Sequence, residues 1–200
     1  MSLYASTAQI KAALRIPSSD TVDDTLLNMA GSAASDLIDG YCGRSFGTAV
    51  TTRYFAADDP YLLQVDDIAS TSGLVIQTSD EDPPAWEVTW TATDYQLEPL
   101  NQLSEGLTWA YTRIRAVGDY LWPNDYGEVG VKITANFGWP SVPMTITQAA
   151  VIQASRIFKR LDSPLGVAGF GDMGAIRVSR QLDPDVAQLV SPYVRYRGIG

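Results

Sequence analysis

The sequence predicts an α+β fold: a small α-helical bundle built from N- and C-terminal helices, an inserted β-rich subdomain and an extended C-terminal arm. Three observations predict it. Near both ends, apolar residues recur every three or four positions, the spacing of a helix with one buried face. Between them the pattern changes to period-two alternation, broken by turns rich in Asp and Pro. Beyond the late helical pattern the chain becomes rich in glycine and then in arginine. The segments read as residues 1–49 for the N-terminal helices, 50–138 for the β-rich insertion, 139–162 for the late bundle helix, and 163–200 for a flexible loop and C-terminal arm.

The first helix is capped by Ser6 or Thr7, carries Ile10, Ala13 and Leu14 as its stripe, and ends before Pro17. Ser18-Ser19-Asp20 offers the next cap. A longer helix follows from about Val22 to Tyr41, with Leu26, Ala30, Ala33, Leu37 and Tyr41 on its stripe and Ala34 and Ile38 beside it. Asp23 and Asp24 fall in its first turn, where the helix dipole favours negative charge, and Gly43 suits a left-handed cap. The small residues from Ala30 to Ser35 permit close approach of another helix, either inside one molecule or between copies.

Strands are expected at Thr51–Ala56, Tyr61–Val65, Leu74–Gln77, Trp86–Thr93 and Val129–Phe137. Trp86, Val88 and Trp90 alternate with Glu87, Thr89 and Thr91; Val129, Val131, Ile133 and Ala135 alternate in the same way. Phe137-Gly138-Trp139-Pro140-Ser141-Val142-Pro143 reads as a rigid connector. The late helix, from about Thr145 to Leu161, has Ile146, Ala149, Ala150, Ile157 and Leu161 on its apolar face and Arg156, Lys159 and Arg160 toward its C-terminal end. A short helix is expected from Pro184 to Val190, with Asp183 as its cap.

Composition excludes several chemistries. Hydrophobic residues make up 46% and charged residues 18% of 200 residues, so the chain can bury a sizeable core and is not intrinsically disordered. There is no histidine, which removes the commonest general base and zinc ligand. The single cysteine, Cys42, forms no internal disulfide. No signal peptide and no apolar run near the roughly 20 residues of a membrane span is visible, so synthesis in the cytoplasm is expected. The net charge of −9 is uneven. Residues 1–150 hold 7 basic and 19 acidic side chains, residues 151–200 hold 7 and 4. An acidic body with a basic end suggests two different partner surfaces and argues against sequence-specific DNA reading.

The motifs that suggest chemistry have plainer readings. Gly169-Phe-Gly171-Asp-Met-Gly174 spells a dinucleotide fingerprint, but it follows a helix and precedes an extended pattern, the wrong context for pyrophosphate binding. The carboxylate pairs Asp58/Asp59 and Asp66/Asp67, and the trio Asp80, Glu81 and Asp82, read as solvated turns, because neighbours in a strand point to opposite faces. Ser155 and Lys159 are simply one helical turn apart. No catalytic residue, metal or cofactor is expected. The basic set Arg156, Lys159, Arg160, Arg177, Arg180, Arg195 and Arg197 suits an acidic protein partner, with phosphate as a minor possibility.

Asp23 to Asp39, followed by Tyr41-Cys42-Gly43-Arg44-Ser45-Phe46, resembles the opening of the head–tail connector proteins of long-tailed phages, also called adaptor or head-completion proteins. The run from Val131 through Gly138, Trp139, Pro140 and Pro143, then Gln148-Ala-Ala, Arg156-Ile-Phe-Lys-Arg160 and Ser163-Pro-Leu-Gly-Val-Ala-Gly169, resembles the family in the same order. The likeness covers both ends and the connector; the β-rich middle is not diagnostic. It implies Asp39, Tyr41, Cys42, Gly43, Arg44, Phe46, Gly138, Trp139, Pro140 and Pro143 as structural positions. It implies a structural virion protein of the neck, a homo-oligomeric ring of about 12 copies beneath the portal protein, and a platform for a stopper or tail-completion protein. Genomic DNA would pass through without sequence-specific binding, and no membrane is involved. The C-terminal segment would dock on the portal, with Arg177, Arg180, Tyr193, Arg195, Tyr196 and Arg197 as contacts. Alternatives are another neck protein, such as a stopper or tail-completion protein, a metal-dependent hydrolase using the carboxylates, or an unrelated bacterial binding module.

Overall fold

A computed structural model describes residues 3–81, 84–104, 106–123, 129–161 and 182–195. The chain divides into two compact units, Met1–Gly47 with Val142–Gly200, and Thr48–Ser141. The first is helical and the second is a β unit. The mixed α+β class stands as expected.

In the helical unit, α1 (Thr7–Leu14) starts at a capping box. The Ser6 hydroxyl accepts from the Gln9 amide, and the Gln9 side chain accepts from the Ser6 amide. α2 (Asp24–Cys42) ends on Gly43, whose φ of 63° is the left-handed cap its lack of Cβ permits. The expected cap at Ser18–Asp20 does not form: the Asp20 carboxylate accepts from the Val22 amide, closing a local turn short of the helix. Lys11, buried in α1, donates to the Asp20 carbonyl and pairs with Asp24, fixing α1 to the start of α2.

The stripe expected on α2 is displaced by about one residue. Leu27, Ala30, Gly31, Ala34, Ser35, Ile38 and Cys42 are buried, whereas Leu26, Leu37 and Tyr41 are exposed. Both sets have helical spacing, so periodicity alone could not choose between them. The small residues serve packing inside the molecule: a Cβ on Gly31 would lie 3.2 Å from Ile10 Cδ1. α3 (Met144–Leu161) buries Ile146, Ala149, Ala150, Gln153 and Ala154, and Ile157 is only partly covered. α4 (Pro184–Val190) has Asp183 as its cap, as its sequence predicts, and buries Val186 and Val190.

The β unit is a curled antiparallel sheet centred on the last strand. Its strands are β1 (Ala49–Phe55), β2 (Leu62–Ile68), β3 (Val75–Thr78), β4 (Val88–Thr89), β5 (Tyr95–Glu98), β8 (Tyr111–Ala116) and β9 (Val131–Phe137); β6 (Leu103–Ser104) and β7 (Leu107–Thr108) form a separate hairpin. One edge of β9 pairs along its length with β1, from Ala49 opposite Phe137 to Phe55 opposite Val131. The other edge is shared by β3 and, at Phe137, by β2. β2 pairs with β8 and β8 with β5, while β3 pairs with β4. Val131, Ile133 and Ala135 alternate inward as expected and Phe137 continues the pattern, whereas Val129 falls outside the strand and is exposed; the four inward residues form one core with Ile68, Ile76, Ile114, Trp90 and Trp122.

Two sequence expectations fail here. The strand at Trp86–Thr93 shrinks to Val88–Thr89: Trp86 takes a left-handed φ of 56° that breaks the extended run at its start, and a turn closed between Thr91 and Asp94 ends it. Of the three alternating residues only Trp90 is buried, stacked on Trp122 with ring centroids 4.1 Å apart. Conversely, β5 and β8 were unforeseen. β8 buries only Ile114 and Ala116, and its polar remainder, Tyr-Thr-Arg and Arg115, hid it.

Candidate interaction surface

The residues between Asp39 and Phe46 form a knot that ties three distant stretches of the helical unit. The Tyr4 hydroxyl donates to Asp39 Oδ1 at 2.6 Å and accepts from the Phe46 amide at 2.9 Å. Ser45 Oγ lies 3.2 Å from the same hydroxyl. Phe46 packs edge-on to Tyr4 and to Tyr193, with centroids 5.8 and 5.7 Å away. The Cys42 carbonyl accepts from the Arg195 amide at 2.8 Å. The Asp39 carbonyl accepts from the amides of Gly43 and Arg44, which completes the turn.

Burial sets the chemistry of this knot. The Cys42 thiol is pushed up to about 12 by desolvation, so it stays protonated and is no nucleophile. Tyr4 is raised to about 12, first by burial and then by its bond to Asp39. Asp39 is itself raised, mainly by burial, although the Tyr4 hydrogen bond opposes the shift. Tyr41 points away and is exposed.

The connector residues divide between the two units. Gly138, with a φ of 123°, donates from its amide to the Asp67 carbonyl at 2.7 Å. Trp139 is buried in the β unit, donates from Nε1 to Asp67 Oδ2 at 3.2 Å, and lies 5.2 Å from the Trp109 ring. Pro140 is half-buried. Pro143 is buried in the helical unit, and its carbonyl accepts from Ile146 and Thr147 at the start of α3.

Of the residues expected to dock a partner, Arg177, Arg180, Tyr196 and Arg197 lie outside the described residues, as does the Gly169–Gly174 motif. Tyr193 is 5% exposed, which makes it a packing residue of the helical unit rather than a free anchor. Arg195 is held through its backbone at Cys42. Arg156 pairs with Asp183 and, at 3.7 Å, with Asp185, which pins α4 to α3. Lys159 is exposed. Tyr4 was missed because it stands outside any periodic pattern, and Asp67 was read as part of a solvated turn; only a distant partner gives each its role.

Asp59 behaves as a turn residue, its Oδ1 accepting from the amides of Tyr61 and Leu62. Asp66 and Asp67 do not form the solvated turn expected of them: both lie in β2, where Asp66 pairs with Arg53 at 2.6 Å and Asp67 is buried. Among the described residues no cluster of acidic or cysteine side chains could hold a metal ion. Nor is any described helix long and apolar enough to cross a membrane.

The fold has solved counterparts. A chain in the neck of an empty gene transfer agent particle, computed with C6 symmetry, matches at a TM-score of 0.57 and 19% identity, covering 97% of this chain and 91% of that one. The virion of a native gene transfer agent particle gives 0.56 and 20%, over 97% and 91%. The neck of the native particle, computed with C12 symmetry, gives 0.50 and 17%, over 97% and 93%. The likeness is one of fold. It spans nearly the whole of each chain, β unit included, at 17 to 20% identity. No protein-family model and no curated protein matches the sequence.

Proposed function

We propose that this chain is a structural, non-enzymatic neck subunit of a phage-like particle, and that its role there is the head–tail connector, or adaptor. The observation that carries the neck reading is the fold, which is shared over 97% of the chain with chains of gene transfer agent necks and virions. The adaptor role rests on the Asp39–Phe46 and Phe137–Pro143 patterns of the sequence. The neck structures computed with C6 and C12 symmetry support a homo-oligomeric ring, here of about 12 copies.

In this reading the ring sits beneath the portal protein in the virion and extends the DNA channel. It presents its far side to a stopper or tail-completion protein. Carboxylates of the acidic body that face the lumen repel the phosphate backbone, so DNA passes without adhering. Arg177, Arg180, Arg195, Tyr196 and Arg197 supply the portal contact; Tyr193 positions that segment by packing on Phe46.

Native mass spectrometry of the full chain, alone and mixed with the portal protein encoded beside it, tests the reading. The expected result is a portal-dependent ring of many copies. A folded chain that binds no portal but joins a tail-side protein would shift the assignment to the stopper or tail-completion role.

A further inference from the structure

α2 is apolar around more of its circumference than its own bundle covers. Leu27, Ala34 and Ile38 lie on the buried arc. Beside it runs a second arc of helical spacing: Leu26, Met29, Leu37 and Tyr41 are 42, 64, 38 and 45% exposed. At ~100° per residue the two arcs together span roughly 220°, about twice what one buried face requires. Asp36 flanks the outer arc, is exposed, and has no ion pair among the described residues.

α3 offers a counterpart of mixed character. Its outward side carries Met144, 87% exposed, the exposed Gln148, the partly covered Val151, Ile152 and Ser155, and then the exposed Lys159. Lys159 also has no ion pair among the described residues. The helical unit therefore presents an apolar arc edged by acid on α2 and a mixed apolar and polar side ending in base on α3. A pairing of α2 with α2 would stop at a dimer and bring Asp36 toward its own copy. A closed ring needs two different surfaces on each subunit.

We propose that the outer arc of α2 docks head to tail on the outward face of α3 in a second copy of this chain, with Asp36 set against Lys159. This seam rests on the ring reading above. It explains why α2 keeps Met29 and Leu37 where a helix of a free-standing monomer would carry polar side chains.

The test uses the full chain with its portal protein and follows ring yield by native mass spectrometry. Met29→Asp should abolish the ring while leaving the melting temperature of the free chain within ~2 °C of the parent, as befits the most exposed position of the arc. Asp36→Lys and Lys159→Asp should each reduce ring yield by roughly fivefold, and the double exchange should restore it. Several outcomes would overturn the seam. Undiminished rings from Met29→Asp would put the seam elsewhere and leave the ring reading intact. A large fall in melting temperature for Met29→Asp would mean that the chain's own residues cover the arc. Normal rings that no longer bind a tail-side protein would assign the arc to that partner. A double exchange without rescue would remove α3 as the counterpart. If the parent chain forms no ring with the portal, the ring reading falls and takes the seam with it.

Discussion

The two units hold themselves together differently. The β unit has one continuous apolar core in which Val131, Ile133, Ala135 and Phe137 of the central strand cluster with residues of β2, β3, β5 and β8. The helical unit has smaller interior residues, many of them alanine, and joins its distant parts at one end through Tyr4, Asp39, Phe46 and Tyr193. A core that many side chains share tolerates change by degrees. A knot in which each group holds a different segment has no spare member.

The contrast can be read separately in each unit. All five tryptophans lie within Thr48–Ser141, and every described α-helix lies in the other unit. Tryptophan fluorescence therefore follows the β unit, and helical circular dichroism follows the bundle.

The largest effect is expected at the knot. Phe46→Ala removes a fully buried ring and both its aromatic contacts, and should cost about 3–5 kcal/mol in urea unfolding followed by helical dichroism. Loss of less than about 1 kcal/mol would mean that the knot does not hold the bundle. In the β unit, Ile133→Val removes one methyl group from the shared core and should cost about 0.5–1.5 kcal/mol, read by fluorescence. Trp139→Phe keeps most of the ring volume but leaves Asp67 without that indole donor, at about 1–3 kcal/mol.

Asp39 gives a smaller, pH-dependent effect. Its folded pKa is raised, so the native state holds the proton more tightly than the unfolded chain does. Stability from this group is present below the unfolded carboxylate range and is lost as pH rises through the raised value. Asp39→Asn keeps an acceptor for Tyr4 and should flatten that decline between acid and neutral pH. An unchanged slope would mean that Asp39 ionises freely in the folded state. The smallest change is a null result that still discriminates. Cys42 should resist a thiol reagent at pH 8 in the native chain and react once urea unfolds it, since burial holds it protonated. Rapid native labelling would show that the end of α2 opens.

Much of the architecture was legible in the chain because local physics writes it there. The cap at Ser6, the left-handed Gly43, the cap at Asp183 and the alternation of β9 each depend on residues a few positions apart. The absence of histidine restricted the chemistry before any coordinate was known. What the chain could not reveal by itself was which of two equally periodic arcs of α2 faces inward. Nor could it reveal that Trp86 turns left-handed out of its strand, or that polar Tyr111–Ala116 is a strand at all. Tyr4 meeting Asp39, Trp139 meeting Asp67 and Arg156 meeting Asp183 were equally hidden. Those outcomes depend on partners 27 to 72 residues away in the chain, and only tertiary packing brings them within reach.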